Sequence, residues 1–182
     1  MAETTVTFGN RQRMTWEQYW ELPEDLRAEY SDGEVLVNPA PSFRHQQISG
    51  RIAATLTTQL AGAVVVQAVG WQLIERRRLR IPDIVVLREQ PAGAVVTEPP
   101  LVAVEVLSTN RSNDLVRKAI EYRDAGAGQY WIVDTRDRVI DVFVRGEGGW
   151  DQAAKIDERT QAATVDVPPF GQVTLVLGDL LD

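Results

Sequence analysis

Leu101-Val102-Ala103-Val104-Glu105-Val106-Leu107 is a run of apolar residues interrupted by one carboxylate. Its length suits a strand, and apolar side chains at both odd and even positions require cover on both faces. The run therefore reads as a central strand of a sheet layered by other elements. Glu105 is the anomaly. An unpaired ionised carboxylate in such surroundings costs several kcal/mol, roughly. It persists with a cation, a basic partner or a shifted pKa, or at the exposed end of the sheet.

Downstream, Ser112 or Asn113 opens a helix to about Ala125, ended by Gly126 and Gly128. A strand over Gln129–Asp134 then pairs with Val139–Arg145 across a turn, and weaker strands follow near Val165 and Val173–Leu177. Upstream of a Pro/Gly-rich loop over Glu89–Pro100, Ile84–Leu87 is a strand introduced by Pro82-Asp83. Ala63–Val69 and Trp71–Glu75 read as one strand or a bent pair. From Phe43 to Leu60 the apolar residues Ile48, Ile52, Leu56 and Leu60 recur every fourth position, an amphipathic helix that Ser42 can cap. Asp32-Gly33 marks a hairpin. Thr15 caps a helix expected from Trp16 to about Leu26, with Trp16, Tyr19 and Trp20 as its buried face. Residues 1–14 read as a loose arm and 15–182 as a single domain. The order of elements gives an α/β sandwich with a mixed sheet.

Composition narrows the chemistry. The chain of 182 residues is 44% hydrophobic and 25% charged, an ordinary globular balance. No apolar run reaches the roughly 20 residues of a membrane span, and the polar stretch Met1–Met14 lacks the apolar core of a secretory signal. With no Cys and one His, His45, thiol nucleophiles, Cys-ligated metals and paired imidazoles are excluded. Neither common glycine-rich nucleotide loop occurs. Carboxylates, Lys, Arg, hydroxyls and a hard metal remain.

The net charge of −7 argues at first against a nucleic-acid partner. Its distribution is uneven, however: residues 1–42 carry −5 and 124–182 carry −6, whereas 43–123 carry +4. The densest basic cluster is Arg76, Arg77, Arg78 and Arg80, running into Pro82-Asp83. It reads either as a solvated hairpin or as a strip for phosphates. Asp83 begins one strand and Glu105 sits in another. On adjacent strands they would put two carboxylates within reach of one hard cation. Only two of the nineteen basic residues are Lys, so Lys118, in the helix after Glu105, stands out. Its ammonium suits the positioning of an attacking water, the alternative being a surface pair with Asp114.

Together these residues resemble a known family. Pro82-Asp83 followed by Val104-Glu105-Val106-Leu107-Ser108 is similar to the metal motif of the PD-(D/E)XK nucleases. The fuller match, from Met14 to about Leu181, is to the Uma-two family of restriction-endonuclease-like proteins. It takes in Glu29 with Asp32-Gly33-Glu34, Arg44-His45-Gln46, Lys118 with Tyr122, and Gln129–Asp134. The resemblance implies a restriction-endonuclease-like αβββαβ core with a mixed central sheet, an N-terminal helix-plus-hairpin extension and C-terminal strands.

It implies a cytoplasmic Mg²⁺-dependent endonuclease acting on DNA, with Mn²⁺ able to substitute. Asp83, Glu105 and the Val106 carbonyl would hold the metal, and Glu29, His45 and Tyr122 would support the site. The superfamily's Lys normally lies two residues after the strand Glu, where this chain has Leu107. The resemblance assigns that role to Lys118, from the following helix. Arg76, Arg77, Arg78 and Arg80 are expected on the substrate backbone, and a homodimer would let each site meet one strand. Two other readings stand beside this one: a non-catalytic nucleic-acid-binding or regulatory module on the same scaffold, and a protein adaptor using exposed aromatics such as Trp150.

Overall fold

The Asp32-Gly33 turn has both residues at positive φ, 49° and 90°, which matches the twist of the flanking strands and closes a two-residue hairpin. Around it the computed structural model describes residues 11–23, 26–107 and 112–182. The elements are β1 (Arg11–Arg13), α1 (Trp16–Tyr19), β2 (Ala28–Ser31), β3 (Glu34–Val37), α2 (Phe43–Gln59) and β4 (Val64–Gln67). There follow β5 (Trp71–Ile74), β6 (Arg78–Arg80), β7 (Ile84–Leu87), β8 (Val102–Leu107), α3 (Ser112–Asp124) and β9 (Gln129–Asp134). The chain ends with β10 (Val139–Arg145), β11 (Trp150–Ile156), β12 (Ala162–Asp166), β13 (Gln172–Val176) and α4 (Leu177–Leu181).

The central sheet has the order β11-β10-β9-β8-β7-β4. Only β8 and β9 run parallel, joined by the crossover helix α3, and the other neighbours are antiparallel. Within this sheet and its helices the succession α2-β4-β7-β8-α3-β9 is the αβββαβ core. β8 lies inside it, and Val102, Ala103, Val104 and Val106 are buried. On one face α2 packs Ile48, Ile52 and Leu56 against Ile84, Val86 and Val104, with β12, β13 and α4 continuing the same core. On the other face Tyr122 of α3 packs with Trp71, Val85, Ala103 and Tyr130.

The second sheet, β1-β3-β2-β6-β5, interleaves the N-terminal strands with the hairpin β5–β6. The stretch 63–75 is therefore split between two sheets, with Ala68 at φ 51° where the chain crosses over. Tyr30, Val35, Val37 and Leu79 form this sheet's own apolar core under Trp16 and Tyr19.

Several expectations are corrected. α1 spans four residues rather than eleven, although Thr15 caps it with a complete capping box, and Trp20 is 48% exposed. Of the arm expected over 1–14, residues 1–10 lie outside the described residues, while Arg11–Arg13 pair with β3 and Met14 is buried. Ser108 also lies outside the described residues, as do the side chains of Ser112 and Asn113. Trp150 is half-buried, and its indole N–H donates to the Ala119 carbonyl at 2.7 Å, so it is no free docking aromatic.

Candidate metal centre and its lysine

β7 and β8 pair with Ile84 opposite Val104. Asp83 directly precedes β7 and Glu105 directly follows Val104, so the two carboxylates lie at adjoining places where that ladder ends, and both line one cleft. Both carboxylates are nearly buried, at 5% and 7% exposure. Oδ2 of Asp83 accepts from the Val106 backbone N–H at 2.8 Å and from His45 Nε2 at 3.2 Å. Oδ1 accepts from Arg27 at 2.5 Å. Burial pushes the Asp83 carboxyl up, but His45 and Arg27 outweigh it and hold it down at about 2.

Glu105 is held differently. Its Oε1 accepts from Lys118 Nζ at 3.1 Å and from the Tyr122 hydroxyl at 2.7 Å. Burial dominates here; Lys118 opposes it, but Asp83 and Glu29 add repulsion, and the carboxyl is pushed up to about 7. Burial alone would discharge the Lys118 ammonium, but Glu105, Glu29 and Asp114 around it hold its pKa above the ordinary value. Two facing carboxylates with opposite shifts divide the work: Asp83 stays charged, while Glu105 depends on a cation beside it.

A stability prediction follows from that cost. Because the folded pKa of Glu105 exceeds its ordinary value, the penalty develops as pH rises from about 4.5 to about 7 and is complete above that. In EDTA at pH 8, Glu105→Gln is expected to raise stability by about 1–3 kcal/mol. A melting temperature at or below that of wild type would contradict this account of Glu105.

Lys118 is anchored from a second side. Its Nζ lies 3.1 Å from Glu29 Oε1 and 3.7 Å from Asp114. Glu29 sits on β2, with Ala28 and Tyr30 turned into the second sheet's own core. It therefore emerges on the opposite face, towards α3. Arg78 and Arg80 of β6 share that face. Arg80, 2% exposed, donates through Nε and Nη2 to both oxygens of Glu121 on α3, at 2.7 and 2.9 Å. It also lies 3.6 Å from Glu29. α3 thus turns an apolar side to the central sheet and a charged side, Asp114, Lys118 and Glu121, to the second sheet.

This layer corrects the reading of the arginine strip. Arg80 is removed from any surface role. Arg78 pairs with Asp32 and lies 3.7 Å from Glu121. Arg77 pairs with Asp32 at 2.7 Å, and Arg76 with Glu17. Arg76 and Arg77 alone of the four are well exposed, with about two-thirds of each side chain open to solvent.

A cleft of about 250 Å³ is lined by Arg27, Glu29, His45, Asp83, Glu105 and Lys118 and walled by the Asn38–Ser42 loop. The Ser42 hydroxyl accepts from the His45 backbone N–H at 3.2 Å, so the cap of α2 also sets the height of the imidazole. His45 directs its Nε2 to Asp83, a contact that positions the carboxylate. Among the described residues no three acidic or imidazole groups converge on one point. The donors present are nonetheless hard oxygens, the carboxylates of Asp83 and Glu105, with Val106 lining the same cleft. That set fits a small divalent cation that keeps several waters.

Two members of the site escaped the sequence reading. Arg27 was signalled by its spacing, since i and i+2 share a face and Glu29 follows it by two. Glu121 follows Lys118 by three, on the same helical face.

The fold has a solved counterpart. A crystal structure described as a "putative nuclease belonging to DUF820" from Anabaena variabilis superposes with a TM-score of 0.73 at 19% identity, covering 92% of this chain and 97% of that one. A comparison with curated proteins gives no match. The family model Uma2, described as "Putative restriction endonuclease", matches residues 16–176. That span takes in the central sheet, the second sheet apart from β1, the crossover helix and every residue of the cleft, and the chain belongs to the Uma2 family.

Proposed function

We propose that this chain is a Mg²⁺-dependent endodeoxyribonuclease, with Mn²⁺ able to substitute. The observation that carries the reading is the Lys118 ammonium 3.1 Å from Glu105, delivered from α3 to a strand whose usual lysine position holds Leu107. Asp83, Glu105 and the Val106 carbonyl are the groups that hold the metal. The ion supplies a polarised water and neutralises charge at the scissile phosphodiester. Lys118 places a compact positive charge where the water and the phosphate oxygens meet. Glu29 and Tyr122 fix that geometry, one steadying the ammonium and the other the Glu105 oxygen. His45 keeps Asp83 turned into the cleft. DNA is the substrate, the cytoplasm the place of action and a homodimer the arrangement for cutting both strands. No helix among the described residues is long and apolar enough to cross a membrane.

The deciding experiment is cleavage of single-stranded, duplex and branched DNA with Mg²⁺, Mn²⁺ or EDTA. It is paired with calorimetry of Mn²⁺ binding, in which Asp83→Ala and Glu105→Ala are each expected to abolish the heat. Equal affinity in wild type and Glu105→Ala would remove the metal assignment. DNA binding without metal-dependent turnover would leave a non-catalytic module.

Arg76 and Arg77 are the remaining candidates for the DNA backbone. Replacing both with Ala should weaken binding to all sequences alike and lower the salt slope by roughly 0.9 for each phosphate that is no longer neutralised. An unchanged slope would leave them as partners of Glu17 and Asp32 only.

A further inference from the structure

Asp83 uses its two oxygens unequally. Oδ2 is saturated by protein donors, the Val106 N–H and His45 Nε2, which fix the plane of the carboxylate. Oδ1 is the oxygen left for a ligand, and the Arg27 guanidinium sits on it at 2.5 Å. A cation bound there at about 2.1 Å would lie within roughly 5 Å of that guanidinium, where like charges repel strongly in a partly buried cleft. Arg27 and a divalent ion therefore cannot share Oδ1 without cost.

Arg27 is also unlike the other buried cations of the site. Arg80 is forked on Glu121 and Lys118 is held by three carboxylates, but Arg27 has Asp83 as its one ion-pair partner among the described residues and only a long 3.4 Å contact to the Ile81 carbonyl. Its side chain is 23% exposed at the cleft, and it stands directly before β2 rather than within a helix or strand. It has both room to leave and little else to hold it.

We propose that Arg27 is a placeholder for the catalytic cation: its guanidinium occupies the metal-facing oxygen of Asp83, is displaced when the ion binds, and then turns to an oxygen of the substrate phosphate. This rests on the metal reading of Asp83 and Glu105. The exchange adds positive charge to the cleft, which an anionic phosphate then offsets. The ion replaces the guanidinium on Asp83, and the displaced guanidinium finds its new anion only when DNA is present. Arg27 is in this sense a positioning residue that couples metal entry to substrate binding.

The test is Mn²⁺ calorimetry on the full chain without DNA, in wild type, Arg27→Met and Arg27→Gln, each checked for folding by its melting transition. Both variants are expected to bind Mn²⁺ about tenfold more tightly, because the competitor is gone. In Ca²⁺, used to support binding without turnover, both should bind a duplex oligonucleotide several-fold more weakly. Wild type that binds Mn²⁺, with variants that bind it equally or more weakly, would overturn the placeholder role alone. If no form binds Mn²⁺, the metal site itself is wrong and the placeholder falls with it. Tighter Mn²⁺ with unchanged DNA affinity would overturn the second half, the transfer to phosphate.

Discussion

Lys118→Met is expected to lower the cleavage rate by about 10²–10³-fold while leaving Mn²⁺ affinity unchanged or tighter. The ammonium does not ligate the ion, so its loss removes only the charge placed beside the reacting water and phosphate. Removing a cation from among Glu29, Glu105 and Asp114 also makes the cleft more attractive to a divalent ion. Lys118→Arg should recover little of the rate, because a planar fork cannot sit as a point charge 3.1 Å from two different carboxylates. Single-turnover cleavage alongside calorimetry separates the two effects. A Lys118→Met rate within threefold of wild type would return Lys118 to a structural ion pair.

Arg80→Ala is expected to cost about 3–5 kcal/mol of stability, the loss typical when one partner of a buried ion pair is removed and the other is stranded. For a chain of this length that corresponds to a fall in melting temperature on the order of 10 °C. Glu121 would be left with only its longer contacts, to Arg78 at 3.7 Å and Arg117 at 3.9 Å, so Arg80→Met combined with Glu121→Gln should recover much of the loss, and the cycle of single and double variants measures the coupling. A fall of under about 1 kcal/mol for Arg80→Ala would mean that water reaches the layer and screens it.

The core was legible because its signals are local and periodic. The four-residue spacing of Ile48, Ile52 and Leu56 defined α2, which runs Phe43–Gln59 against an expectation of Phe43–Leu60. The run around Glu105 marked β8 as interior, and Gln129–Asp134 and Val139–Arg145 were placed to the residue. The second sheet was largely invisible. β6 is three residues, Arg-Leu-Arg, whose polar neighbours mask a strand that buries Leu79 on one side and Arg80 on the other. β11 is a half-exposed edge strand with an irregular polar pattern, and so shows little alternation. At the site, the closeness of Asp83 and Glu105 and the reach of Lys118 could be anticipated from strand order and helix connection. The burial of Arg80 could not: four arginines in five positions look alike in sequence, and only the pairing of β6 with β2 decides which of them turns inward. The short helix α1 was overextended because Pro23 follows within one turn of Trp20 and ends the helical path early.

Glu29 and Arg27 come to the cleft from the second sheet, whereas His45, Asp83, Glu105 and Lys118 come from the core, with the Asn38–Ser42 loop between the two sets. That loop is the natural place for a recombination junction, since it joins a hairpin to a capped helix and contributes no strand. A crossover there would nonetheless separate the ammonium from one of its two closest carboxylates and Asp83 from its guanidinium, and would break the β2–β6 pairing as well. Core and extension can be inherited only together. Variation is tolerated at the exposed positions of β11, β12 and β13, whose inward residues Ile156, Val165, Val173 and Leu175 belong to the core, but a transplant of the αβββαβ core alone would carry the site without its counter-charges.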